Sequence, residues 1–122
     1  PTNTHIQPIG ANGKAYVFGA GHCSHSLVPV LSTLAFFTVV VDDRPDFASR
    51  ERFPTADQIH IPKSFDNAVA PLSVDEDSYL VIVTRGHSHD RSVLAQALRT
   101  PAAYIGMIGS KKKVAATFAA LS

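Results

Sequence analysis

The stretch Tyr16-Val17-Phe18-Gly19-Ala20-Gly21, followed 21 residues after Gly21 by Asp42, constrains this chain most. An apolar strand runs into a glycine turn and then a helix, and a second apolar strand ends in acid. That is the opening βαβ unit of a dinucleotide-type α/β fold. Gly19 lets the chain turn sharply off the strand, because it has no Cβ to clash. Gly21 lets backbone N–H groups approach a phosphate, and the helix that follows aims its N-terminus, about half a positive charge, at the same spot. The third position of the fingerprint is Ser24 instead of glycine. A small residue there still permits close helix–strand packing. With strand, helix and acid all in place, the pattern identifies the fold before it identifies the ligand.

Asp42 or Asp43 is the candidate for holding a ribose hydroxyl, at the usual spacing of about 20 residues. The other reading is that an aspartate ends the strand simply where the chain surfaces. Asp43 and Arg44 side by side leave NAD and NADP equally open, since a carboxylate favours free hydroxyls and an arginine accepts a 2′-phosphate.

The 122 residues suffice for one domain with a real core. At this size folding buries roughly two-thirds of the unfolded surface. A net charge of +1 gives a general nucleic-acid or membrane role no electrostatic support. No apolar run reaches the length of about 18 residues that would suggest a membrane span. Cys23 is the one cysteine, which excludes an internal disulfide and suits a reducing cytoplasm. Residues 1–13 are polar, with Pro8, Gly10, Asn12 and Gly13, and read as a tail or linker ahead of a domain over 14–122. The chain starts on Pro1 and stops at Ser122 inside a helical pattern, so it is expected to be a piece of a longer protein.

Periodicity predicts strands over 15–18, 37–41, 58–61, 79–84 and 104–107. It predicts helices over 24–35 and 90–99, a weak one over 64–69, and a last one capped by Ser110. Pro29 is expected to bend the first helix or shift its start. Residues 42–57 form a charged, irregular excursion. Strands alternating with helices imply a doubly wound parallel sheet of α/β class, Rossmann-like, with right-handed crossovers and strand order 3-2-1-4-5. Ligands then bind outside the carboxyl ends of strands 1 and 4, at the switch point.

That rule brings three loops to one crevice: Gly19, Gly21, His22 and Ser24 after strand 1; Arg85, Gly86 and His87 after strand 4; Gly106, Gly109 and Ser110 at strand 5. Glycine turns, helix N-termini, Arg85 and the lysines 111–113 suit phosphate or pyrophosphate; the lysines equally suit a solvated helix face. His22, Cys23, His25, His87, His89 and Asp90 are all possible metal ligands, but His-Cys-x-His is not a zinc spacing and no metal is expected. Cys23 is either a thiol activated at a helix N-terminus or a small packing residue. His87 either moves a proton or hydrogen-bonds at the surface.

The segments Val17-Phe18-Gly19-Ala20-Gly21-His22, Val40-Val41-Asp42-Asp43-Arg44-Pro45, Arg50-Glu51-Arg52-Phe53-Pro54, Ile82-Val83-Thr84-Arg85-Gly86-His87 with Asp90, and Tyr104-Ile105-Gly106-Met107-Ile108-Gly109-Ser110-Lys111 resemble the C-terminal Rossmann domain of the XdhC/CoxI family. The resemblance runs from about Lys14 to the end. The family's usual Gly-His-Val-Gly reads Gly21-His22-Cys23-Ser24 here. The family consists of accessory factors for molybdenum hydroxylases such as xanthine dehydrogenase and carbon monoxide dehydrogenase. The resemblance therefore implies binding of molybdenum cofactor (molybdopterin or its dinucleotide), help with its sulfuration, and delivery to a hydroxylase apoenzyme. Family members usually carry a separate N-terminal domain as well. The expected role is a cofactor-holding chaperone domain, not a catalyst by itself. Its expected partners are the apoenzyme and a phosphate-bearing cofactor, with no nucleic acid or membrane, and homo-oligomer formation stays open. An NAD(P)-dependent oxidoreductase module and a nucleotide-sensing regulatory domain are the alternatives.

Overall fold

In the computed structural model of the protein, residues 13–107 are described. The apolar pentapeptides form β1 (Lys14–Phe18) and β2 (Phe37–Val41), and every residue but the first of each is buried. Runs without alternation belong to strands covered on both faces, and these are such strands. The remaining strands are β3 (Gln58–His60), β4 (Ser78–Ile82) and β5 (Tyr104–Met107). All pairings are parallel, and the order is β3-β2-β1-β4-β5, as predicted. Phe18 is level with Val41 on one side and Ile82 on the other, so the three strands end together and their loops emerge side by side.

Helices α1 (His22–Thr33) and α2 (His87–Ala97) lie on opposite faces of this sheet. Val28 of α1 packs with Val17, Val40 and with Ala48, Phe53 and Ala56 of the 42–57 segment. On the other face Val93, Leu94 and Ala97 of α2 pack with Phe18, Val41, Leu80, Ile82 and Phe65. No helix among the described residues is long and apolar enough to cross a membrane.

Both helices start earlier than predicted, at His22 instead of 24 and at His87 instead of 90. The physical reason is the same at both ends. Gly21 and Gly86 stand at the N-cap in extended conformation, without a side-chain cap. Ser24 and Asp90, the residues whose chemistry suggests a helix start, sit inside the first turn and reach backwards. The Ser24 hydroxyl donates to the Gly19 carbonyl. The Asp90 carboxylate accepts from the Thr84 N–H at 3.0 Å and from its hydroxyl at 2.5 Å. That contact turns the chain at Thr84, and β4 ends at Ile82 instead of 84.

Pro29 lies inside α1, which nevertheless runs on to Thr33. The N–H it lacks would have bonded the carbonyl of His25, and both residues are exposed, so water can replace it. Helix α1 stops two residues short of 35, where Ala35 adopts φ 67° and the N–H of Phe36 returns to the Leu31 carbonyl at 3.1 Å. The helix predicted over 64–69 is only a single 3-10 turn, Phe65–Asn67, capped by the Ser64 hydroxyl on the Asp66 N–H at 3.0 Å. Helix α2 ends at Ala97 and β3 at His60. All of the expected tail over 1–13 except Gly13, and the helix from Ser110, lie outside the described residues.

Candidate functional site at the switch point

The turn after β1 sits in a notch between the loops that follow β2 and β4. Gly19 has φ 115°, a conformation that L side chains rarely adopt, and its N–H donates to the Val41 carbonyl at 2.7 Å. A Cβ built on it would press into the Val83 carbonyl group and lie 2.9 Å from the Thr84 Cα. Backbone passes backbone here, so only glycine fits. Gly21 differs. A Cβ there meets no heavy atom within 4 Å. The space over Gly21 is open, at a helix start with no side-chain cap, where the first N–H to find a carbonyl is that of His25, on Gly21 at 3.1 Å. The two glycines of the fingerprint thus differ, one packing against the end of β4 and one bordering open space at the helix start.

Asp42 is fully buried and every acceptor position is engaged. One carboxylate oxygen takes the Arg44 N–H and Nε, each at 2.9 Å; the other takes the Ala20 N–H at 2.8 Å and Arg44 Nη2 at 2.9 Å. A carboxylate has about four lone-pair sites, and these four bonds fill them. Asp42 therefore ties the β2 loop to the glycine turn. Burial works to raise its pKa, but the Arg44 guanidinium and the N–H groups of Ala20 and Arg44 outweigh burial and hold it below the ordinary 3.8.

A group with a depressed folded pKa stabilises the fold above its unfolded value and loses that contribution as pH falls through the folded value. Asp42→Asn is expected to lower the unfolding free energy at neutral pH by about 1.5–3 kcal/mol, the range for hydrogen bonds to charged groups. The figure for wholly buried ion pairs is larger, but Arg44 is partly exposed and can turn to water. As pH falls below 3.8 and through the lower folded value, the wild type should converge on the variant. Urea titrations across pH read both effects, and an equal gap at pH 2 and pH 7 would contradict this role.

Asp43 and Arg85 form the rim. Arg85 Nη1 donates to Asp43 at 2.7 Å and Nη2 to the second oxygen at 3.3 Å, while Nη1 also lies 3.8 Å from Asp42. The carboxylate of Asp43 holds the Arg85 guanidinium still more firmly protonated. The guanidinium also sits 5.7 Å from the centre of the Phe65 ring. The pair spans the crevice from the β2 loop to the β4 loop.

Of the residues expected here, Gly19, Gly21, Asp42, Asp43, Arg85 and Gly86 come together. His22 opens α1 and is exposed; Ser24 is buried beneath the turn, its hydroxyl bonded to Gly19. His87 is the first residue of α2. Gly106 lies within β5, opposite Val81 and so one residue below the sheet edge. Gly109, Ser110 and the lysines 111–113 lie outside the described residues. Among the described residues no group of three or more His, Cys, Asp or Glu is placed to hold a metal ion.

Sequence reasoning missed how the arginines of 42–57 pin that segment down. Arg52 donates to the carbonyls of Ala20 and Phe47, and Arg44 stacks 3.8 Å from the centre of the Phe47 ring. Arginines interleaved with Phe47 and Phe53 were the signal to read, since guanidinium planes stack on aromatic faces.

Residues 15–122 match the model of the XdhC Rossmann domain. The chain is 28% identical over 109 residues to the uncharacterized protein YqeB of Escherichia coli (strain K12), covering 89% of this chain and 20% of YqeB. It is 27% identical over 112 residues to a probable xanthine dehydrogenase subunit of Bacillus subtilis (strain 168), covering 92% of this chain and 34% of that protein. The crystal structure of a xanthine dehydrogenase from Bacillus halodurans superposes with a TM-score of 0.77 at 30% identity, covering 87% of this chain and 32% of that one. The chain thus spans between a fifth and about a third of the length of these relatives. With the parallel sheet, the glycine turn and the match over nearly its whole length, the chain belongs to the XdhC Rossmann domain family.

Proposed function

We propose that this domain serves a maturation factor for a molybdenum hydroxylase of the xanthine dehydrogenase or carbon monoxide dehydrogenase type. In this reading it holds molybdenum cofactor, or a related nucleotide, by its phosphate and helps bring it to the apoenzyme in sulfurated form. The observation that carries the reading is the family match over 15–122. Two relatives whose names contain xanthine dehydrogenase point to the same client.

The residues present suit such a ligand. The open space over Gly21 suits a phosphate against an uncapped helix start, and Arg85 follows Thr84, which packs against Gly19 of the same turn. When bound, the cofactor supplies the client enzyme's redox chemistry; this chain's residues bind and orient it. The nicotinamide alternative needs an acid for ribose hydroxyls; the acceptors of Asp42 are filled by Ala20 and Arg44, and both oxygens of Asp43 are engaged by Arg85.

Cofactor released from a purified molybdenum hydroxylase should co-elute with the 122-residue chain in gel filtration, read as molybdenum and pterin in the protein peak. Incubated with NADH or NADPH and common aldehydes or ketones, the chain should show no turnover above background. A reduced nicotinamide needs a substrate held against it away from water, and the 42–57 segment is short and charged for that task. Steady oxidation abolished by His87→Ala, with no cofactor retained, would replace the maturation reading with an oxidoreductase.

A further inference from the structure

Arg85, a cation whose backbone emerges beside the glycine turn, is already engaged. Arg85 follows Thr84, whose Cα would lie 2.9 Å from a Cβ on Gly19, so its backbone emerges against the glycine turn. Its guanidinium stands 3.8 Å from the Asp42 carboxylate, whose other oxygen holds the Ala20 N–H. Yet both of its terminal nitrogens face Asp43, at 2.7 and 3.3 Å. The arginine fork fits a carboxylate and a phosphate in the same bidentate way, so the two compete for the same donors. Neither side chain of the pair is fully buried: exposure is 36% for Arg85 and 15% for Asp43. A pair reached by solvent contributes little and separates at little cost.

We propose that Asp43 is an internal competitor for Arg85, and that a phosphate arriving on the glycine turn takes the arginine from it. The inference rests on the cofactor-site reading above. Asp43 then sets the threshold for anion binding. A weak monoanion does not displace it, whereas a phosphate dianion held at the same time by the helix start does. Release also unfastens the shorter of the two ion pairs by which Arg85 joins the β4 loop to the β2 loop, 2.7 Å to Asp43 against 3.8 Å to Asp42. Asp42 stays behind as the fixed support, because its bonds to Ala20 and Arg44 do not involve the phosphate.

The test is a titration of the 15N-labelled 122-residue chain with inorganic pyrophosphate at constant ionic strength. It follows the amides of Gly19, Gly21 and His22 and the Arg85 Nε–Hε signal. In the wild type all four should shift. Asp43→Asn should bind about two- to fivefold more tightly, the gain expected when a solvent-exposed ion pair no longer competes. Arg85→Ala should bind at least about tenfold more weakly, as loss of a charged hydrogen bond requires.

Asp46→Asn makes the same charge change in the same loop, at an exposed residue with no ion pair among the described residues. It should have a much smaller effect, and the gain from Asp43→Asn should vanish in the Arg85→Ala background. If Gly21 shifts but Asp43→Asn binds no better, or gains equally without Arg85, the competition is refuted and the cofactor site stands. If Gly21 does not shift in the wild type or in Asp43→Asn, the phosphate site itself is refuted and the competition falls with it. The same spectra report whether each variant is folded.

Discussion

Gly19→Ala is expected to destabilise the fold by about 3–5 kcal/mol and to lower the melting temperature by on the order of 15 °C or more. Two effects add. A residue other than glycine held at positive φ, here 115°, is strained by roughly 1–3 kcal/mol. The new methyl also meets the Val83 carbonyl group and the Thr84 Cα at 2.9 Å, all main chain, so no side chain can swing away to relieve it. The β1 turn would have to lift off the end of β4, and the hydrogen bond from Gly19 to Val41 at 2.7 Å would be lost with it. Against a total stability of about 5–15 kcal/mol, much of the native margin disappears. Urea denaturation followed by circular dichroism measures this. A loss below about 1 kcal/mol, smaller than the strain alone, would mean that the turn is not built as described.

Gly21→Val, two residues on, should do the reverse: keep the fold and lose the ligand. Gly21 has φ −88° and ψ −153°, extended backbone that a β-branched residue adopts readily. Its Cβ meets no heavy atom within 4 Å, so the protein itself has room for the side chain. The expected change in stability is about 1 kcal/mol or less, the scale of replacing a favourable N-cap residue. What the valine fills is the open space through which, at the proposed site, a phosphate would reach the backbone N–H groups. If two hydrogen bonds to a charged ligand are lost, at about 1.5–3 kcal/mol each, affinity for pyrophosphate or for released molybdenum cofactor should fall by at least about a hundredfold. Isothermal titration of the folded variant reads it. Undiminished affinity would place the anion elsewhere on the protein.

Much of the architecture was legible in the residues alone, because it depends on local features that a chain carries with it. Unalternating apolar runs at 15–18 and 37–41 announce strands buried on both faces. Strand–helix alternation with right-handed crossovers then leaves few topologies besides 3-2-1-4-5. The need for glycine at 19 was readable for the same reason, as a sharp turn off the strand, while its φ of 115° came only with the structure. Helix starts were less legible. Ser24 and Asp90 are good capping residues by type, but here they sit one turn deep and bond back to Gly19 and Thr84. Which backbone group a short polar side chain meets is set by the neighbouring strand end, not by its own spacing.

The division of labour among the charged residues was decided only in three dimensions. In the chain, Asp42 and Asp43 are adjacent and chemically equal. In the fold, the chain leaving β2 tucks one beneath the glycine turn as its buried support and leaves the other on the rim facing Arg85, 42 residues away. Gly19 and Gly21 separate in the same manner, since only the packing of β4 reveals which glycine touches backbone and which touches open space. The sequence by itself determined the strand order, the turn and the family to which the chain belongs, because periodicity, glycine placement and motif spacing are properties of contiguous residues. Which carboxylate is saturated, which glycine borders open space and which arginine joins the rim was decided by tertiary structure, because burial and hydrogen-bond saturation depend on what the rest of the chain brings to each side chain.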